Sequence, residues 1–296
     1  MIKTASAALI CLLLYGILII PFTTYLRNKP FVEKLGYVPS VTALKSVAAD
    51  HKEFVAAFLV LKVLMYFGGL FEKAEAQVII PPDYQSMSRL LHGAVKLDPY
   101  NMDAYYFAQS FLAWDVKQYK LANDLLDYGM KYRTWDWYLP FFAGFNSAYF
   151  LKDYSAAAKY YQRAGELSGS DLSRLLAGRY MQESGQTELA IAYLIAMEKG
   201  ERNPALKKNY QIRLTAFREA RRIEVARDRY RETIGSLPTK LEQLVSGGFL
   251  TPPPRDPYGG QFYLEADGKV STTSKFAFAG AKNDSKKKAG EPDERH

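Results

Sequence analysis

Hydrophobic and polar positions follow four regimes along the chain, and each predicts a different element. Residues 4–26 hold no charge, and twenty-three residues at about 1.5 Å each would cross the roughly 30 Å apolar layer of a bilayer. A second apolar run, residues 54–71, carries Lys62 near its middle, which would cost about 2.5–3.5 kcal/mol in a span, and Gly68-Gly69 near its end. It is therefore expected as a buried helix of the soluble body, with a second span as the alternative. Between residues 84 and 200 one helical pattern recurs: Met87, Leu91, Ala94; Ala122, Leu126, Gly129; Ala157, Tyr161, Ala164; Ala190, Leu194, Met197. The first residues of these sets are separated by 35, 35 and 33 positions. In each set a small or flexible residue, a large one four later and a small or flexible one three further on share a helix face, so a neighbouring helix can approach closely.

The last regime begins at Asn203-Pro204, where an amide side chain and a proline suit a helix start. A long helix is expected to about Thr233, with Tyr210, Leu214, Phe217, Ile223, Ala226 and Tyr230 as its apolar stripe. Beyond it, Asp256-Pro257-Tyr258-Gly259 has the chemistry of a turn, and Asp267-Gly268 joins residues 261–264 and 269–272 as a hairpin. Residues 281–296 have the composition of a disordered tail.

Charge sharpens this division. The net charge is +8, and residues 201–231 hold ten Lys and Arg against four Asp and Glu, so most of the excess sits in the long helix. A nearly neutral body with one basic helix points to a local patch for an acidic partner or membrane surface, with Arg213, Arg218, Arg221, Arg222 and Arg229 as its candidates. The alternative use of that patch, nucleic-acid binding, requires a cytoplasm-facing body. The single cysteine excludes an intramolecular disulfide and Cys-rich metal or haem sites, and three histidines far apart supply little metal chemistry. No catalytic motif stands out, so no enzyme activity, cofactor, metal or small-molecule substrate is expected.

The apolar run at 4–26 has a rival reading as a cleaved signal peptide. The sequence after it, PFTTYLRNKP, lacks the small-x-small pair of a cleavage site, which favours an uncleaved anchor. Lys3 on one side competes with Arg27, Lys29 and Lys34 on the other, so the positive-inside rule leaves orientation open. With Lys62 arguing against a second span, the body is expected in the periplasm of a bacterial inner-membrane, single-pass protein.

Residues 155–167, SAAAKYYQRAGEL, and 185–194, GQTELAIAYL, resemble second helices of tetratricopeptide repeats, and the 33–35-residue spacing is close to that family's period. The resemblance covers residues 54–200, although Phe145 falls where the family has a small residue. It implies a solenoid of helix pairs that binds a protein partner in a groove lined by first helices. Those first helices are aromatic here, and Tyr105, Tyr106, Trp114, Trp135, Trp137, Tyr138 and Asn146 are the candidate partner-binding residues. On a helix, residues 135–138 cannot all face inward.

A second resemblance covers residues 226–274. Tyr230, Gly235, Leu237-Pro238, Leu241, Leu244, Gly248-Phe249-Leu250, Asp256-Pro257-Tyr258-Gly259, Phe262-Tyr263 and Gly268-Lys269-Val270 are similar to the C-terminal half of the major pseudopilin of type II secretion. It implies a small α+β module and a partner in an envelope secretion or pilus assembly. The processing motif of that family does not precede the apolar segment, so self-polymerisation is not expected. The expected organisation is mainly α: a membrane anchor over 1–29, tetratricopeptide-like helical repeats over 30–203, the basic helix plus pseudopilin-like module with a β-hairpin over 204–280, and the tail.

Overall fold

The computed structural model describes residues 12, 14–25, 33–37, 39–77 and 80–276. The expected tail, Cys11 and the flanking charges Lys3, Arg27 and Lys29 lie outside them. The described residues fall into two compact units, one ending at Val116 and one beginning at Lys117. This division cuts the stretch expected as one repeat region and places the C-terminal module with the last repeats.

The first unit contains α1 (Leu14–Tyr25), α2 (Val41–Ala48), α3 (Lys52–Glu75), α4 (Tyr84–Leu97) and α5 (Met102–Trp114). The described part of α1 is helical, and its large apolar side chains, among them Leu14, Ile17, Leu18, Ile20 and Phe22, are exposed. α4 is the centre of the rest: Met87, Leu90, Leu91, Ala94, Val95 and Leu97 are buried by α2, α3 and α5 packed against it. Short polar side chains set the helix starts, Asp83 accepting from Ser86 N–H at 3.2 Å and Asn101 from Ala104 N–H at 3.0 Å. α3 corrects the expectation of a buried helix. Ala56, Leu59, Val60, Val63 and Leu70 are buried, but only 28% of its most apolar 18-residue window is, and Phe54, Phe58, Leu61 and Met65 are exposed. Among the described residues it is the one helix long and apolar enough to cross a membrane by length and composition.

The second unit runs through α6 (Tyr119–Met130), α7 (Tyr138–Asn146), a π-helical turn (Ser147–Leu151), α8 (Tyr154–Ser168), α9 (Asp171–Glu183), α10 (Thr187–Gly200), α11 (Pro204–Ile234), α12 (Leu241–Ser246), β1 (Phe262–Leu264) and β2 (Val270–Thr272). From α6 to α11 each helix packs on the next, and the recurrent residues of the sequence pattern lie in these contacts. Ala122, Leu126, Ala157, Tyr161, Ala164, Ala190 and Leu194 are all buried. Asp153 caps α8 by accepting from Ala156 N–H at 2.9 Å, and Asn203 caps α11 by accepting from Ala205 N–H at 3.0 Å.

Glycine permits the closest approaches. A Cβ on Gly144 of α7 would lie 3.1 Å from the Tyr161 ring of α8, and one on Gly178 of α9 would lie 3.1 Å from Leu194 of α10. The two glycines are 34 residues apart, so they repeat the same contact in successive helix pairs. Gly144 thus supplies the small residue that Phe145 lacks, one position earlier.

α11 carries the C-terminal module. Tyr210, Leu214, Phe217, Ala220, Ile223 and Ala226 share one core with Leu175, Ala190 and Leu194 of the preceding pair and with Leu244, Leu250, Phe262, Val270 and Phe276 beyond the helix. The strands pair antiparallel with Phe262 opposite Thr272 and Leu264 opposite Val270. Gly268, at φ 83°, makes the turn between them. Asp256 fixes the base of the hairpin, accepting from Tyr258 N–H at 2.8 Å, from Ser274 Oγ at 2.6 Å and from the Thr272 hydroxyl.

Gly144→Val is expected to lower stability by about 1–3 kcal/mol through overpacking against Tyr161. Gly200→Ala, whose Cβ would meet nothing within 4 Å, should change stability by less than about 0.5 kcal/mol. Urea unfolding of the two variants checks this; equal stability would remove the close-approach argument.

Candidate functional site

The residues before α7 are not helical. In the turn from Lys131 to Trp137, buried Asp136 accepts from Arg133 Nε at 2.8 Å and from Tyr138 N–H at 2.9 Å. That carboxylate holds the turn from inside and leaves its neighbours Trp135 and Trp137 outward, 59% and 44% exposed. The Arg133 guanidinium also lies 5.6 Å from the Trp135 ring centre, a cation–π distance. Sequence reasoning reached the exposure of these tryptophans through a helix that is absent there.

From Trp137 a continuous aromatic set runs inward. Trp137 meets Phe141 edge to face at 5.9 Å, Tyr138 meets Phe142 at 4.2 Å, and Phe141 meets Tyr161 edge to face at 5.6 Å. Tyr161 is buried, which pushes its phenol pKa up and keeps it neutral. The core therefore holds the inner ring, and that ring holds the outer ones at geometries favoured by aromatic quadrupoles.

Across from these rings, Ser168, Ser170, Leu172 and Ser173, at the end of α8 and the start of α9, close a cleft of about 490 Å³ with Trp137, Tyr138, Phe141 and Phe142. Its floor is aromatic, one wall carries an aliphatic side chain 52% exposed, and its rim is hydroxylic. Ser168 Oγ already donates to Ala164 O at 2.6 Å, and Ser173 is 1% exposed. The cleft can desolvate apolar side chains and offer the Ser170 hydroxyl at its rim to a peptide backbone. Leu172 was missed in the sequence; its signal is its position off the buried Ser173, Ala177, Met181 stripe of α9.

Two candidate partner-binding residues are corrected by burial. Tyr105 is fully buried in α5 with its hydroxyl donating to Pro99 O at 3.1 Å, because it falls on the face with Ala104, Ala108 and Leu112. Asn146, 1% exposed, donates from Nδ2 to Asn123 Oδ1 at 3.0 Å, while Asn123 donates to Ser147 Oγ at 3.0 Å. With α7 starting at Tyr138, residues 139, 143 and 146 share its inner face. Tyr106 and Trp114 are exposed on α5 in the first unit. The site therefore gathers Trp137 and Tyr138 of the expected set.

Of the expected basic patch, one arginine is buried and two are half-exposed in ion pairs. Arg213 is 3% exposed and donates to Phe276 O at 2.8 Å, Leu175 O at 3.3 Å and Tyr258 Oη at 3.4 Å, so it joins α9, α11 and the end of the hairpin. Arg221 donates to Glu188 at 2.7 Å and Glu224 at 3.3 Å, and Arg222 to Glu219 at 2.8 Å and Pro252 O at 2.9 Å. Arg218 and Arg229 remain on the surface. A helix side must pack somewhere, and an arginine stem is long enough to bury while its head finds carbonyls.

No protein-family model matches the chain, and no curated protein is similar enough to count as a relative. Among solved structures, the chain is similar to YrrB, a TPR protein with an unusual peptide-binding site. The identity is 19%, the match covers 71% of this chain and 100% of YrrB, and the TM-score is 0.37. The helix-pair reading accordingly stands on the packing described above, not on this likeness.

Other hollows offer less. A wider one of about 760 Å³ in the C-terminal module is lined by Leu241, Glu242, Val245, Pro253, Arg255, Asp256 and Phe262, and of its two carboxylates Asp256 is engaged by Thr272, Ser274 and Tyr258. Among the described residues no three His, Cys, Asp or Glu side chains are grouped to hold a metal ion.

Proposed function

We propose that this chain is a noncatalytic, membrane-anchored scaffold whose second unit captures an apolar segment of a protein partner in the cleft between Trp137 and Leu172. The observation that supports this best is the open aromatic set itself: Trp137, 44% exposed, faces solvent while Phe141 and Tyr161 hold it from behind. Exposed tryptophan over a preformed apolar floor desolvates a partner's side chain with little further ordering cost. The matching partner is a peptide segment with one or two large apolar side chains, its backbone meeting Ser170 at the rim.

The anchor reading rests on the uncharged run at 4–26, and the envelope reading on the resemblance of residues 226–274 to a pseudopilin module. In this account the protein sits in a bacterial inner membrane with its body in the periplasm, and its partner belongs to a secretion or pilus-type assembly. The alternative of nucleic acid or an acidic partner on the long helix is weakened, because Arg213 is buried and Arg221 and Arg222 are each paired with a carboxylate of the same chain.

Leu172→Asp places a charge in the cleft at an exposed position, so it should leave the urea midpoint within about 0.5 kcal/mol of the parent while abolishing retention of the partner enriched from native membranes. Retention of the same proteins by the variant would contradict the cleft assignment. For topology, alkaline phosphatase fused to the C-terminus should be active; an inactive fusion beside an active cytoplasmic reporter would place the body on the other side.

A further inference from the structure

α3 presents three different faces. Ala56, Leu59, Val60, Val63 and Leu70 are buried in the unit, with Leu59 lying 3.7 Å from where a Cβ on Gly93 of α4 would be. A quarter-turn away is a polar seam: Tyr66 donates to Glu33 O at 2.6 Å and accepts from Asp83 N–H at 2.8 Å, and Lys73 pairs with Glu33. Opposite the buried face lie Phe54, Phe58, Leu61 and Met65, each more than half exposed. Their spacing of 4, 3 and 4 residues makes one stripe, about 17 Å long at 1.5 Å per residue.

The buried face and the seam decide how such a helix can meet a membrane. α4 carries Arg89, His92 and Lys96, and Asp83 caps it. A spanning α3 would draw these charges into the hydrocarbon or strip five apolar side chains of their packing. Lying flat exposes only the outer stripe to lipid and breaks nothing.

The chain length supplies the second argument. Glu33, bonded to α3, follows Tyr25 of α1 by eight residues, so at most about 28 Å separates the two at 3.3–3.6 Å per residue. With the 4–26 run in a bilayer, the part of α3 that holds Glu33, Tyr66 to Lys73, stays within that distance of its surface, and the stripe ends one residue before it at Met65. A phenylalanine, leucine and methionine stripe held there, with its back to the protein, suits the boundary between headgroups and acyl chains. Resting on the anchor reading above, we propose that the Phe54–Phe58–Leu61–Met65 face of α3 lies in the membrane interface and docks the first unit flat on lipid.

The test uses the full chain with Cys11→Ser, reconstituted in phosphatidylethanolamine–phosphatidylglycerol vesicles, and single cysteines carrying an environment-sensitive fluorophore. Leu18→Cys reports the anchor, Phe58→Cys and Met65→Cys the stripe, and exposed Lys96→Cys on α4 serves as the control. Lipid-borne nitroxides should quench positions 18, 58 and 65 several-fold more than position 96. Quenching at 18 but not at 58 and 65 overturns the docking while leaving the anchor intact, and a dry environment at 58 without lipid quenching assigns the stripe to a second copy or a protein. No quenching at 18 removes the anchor reading, and the docking with it.

Discussion

The second unit depends on how closely its helices can approach. Gly144 against Tyr161 and Gly178 against Leu194 put backbone beside side chain at the same point of two successive pairs, and Ala157, Ala164 and Ala190 keep the neighbouring space small. Close packing of this kind fills the interior with few large side chains, so much of the aromatic content is not needed there. Part of that surplus forms the outward pair Trp135 and Trp137, and the Asp136 carboxylate holds their turn in place. Packing economy inside and an adhesive surface outside are thus two results of one spacing.

Repeat arrays need an end, and α11 provides it. Its stripe receives Leu175 and Leu194 on one side and Phe262, Val270 and Phe276 on the other, so a two-stranded hairpin that would be marginal alone shares the core of the helix pairs. Arg213 crosses this junction and donates to carbonyls on both sides, Leu175 O and Phe276 O, which gives its buried guanidinium the partners a charge needs there.

Local chemistry was legible in the sequence and register was not. The helix start at Asn203, the extents of α8 and α11, the turn at Asp256 and the hairpin across Gly268 all depend on a few adjacent residues, and they formed as expected. Tyr105 and Asn146 were misplaced because a residue's facing depends on where its helix begins, and α7 begins only after a turn held by Asp136. Arg213 was read as solvated because its acceptors come from residues 38 and 63 positions away. The far wall of the cleft, Leu172, likewise belongs to a helix that follows by a whole repeat. α3 looked like a core helix by composition, and only the position of α4 shows that most of its apolar window is left outside.

The central claim is that one core runs from the last helix pairs through α11 into the C-terminal module and leaves the aromatic surface free to work. Native-state hydrogen exchange of the full chain measures this directly, since amides of one cooperative unit open with a common free energy. Amides of α9, α10, α11, β1 and β2 are predicted to share one opening free energy that responds equally to denaturant. A hairpin that exchanges with a much smaller denaturant dependence than α11 would show that the module opens by itself, and the account of a shared core would fail.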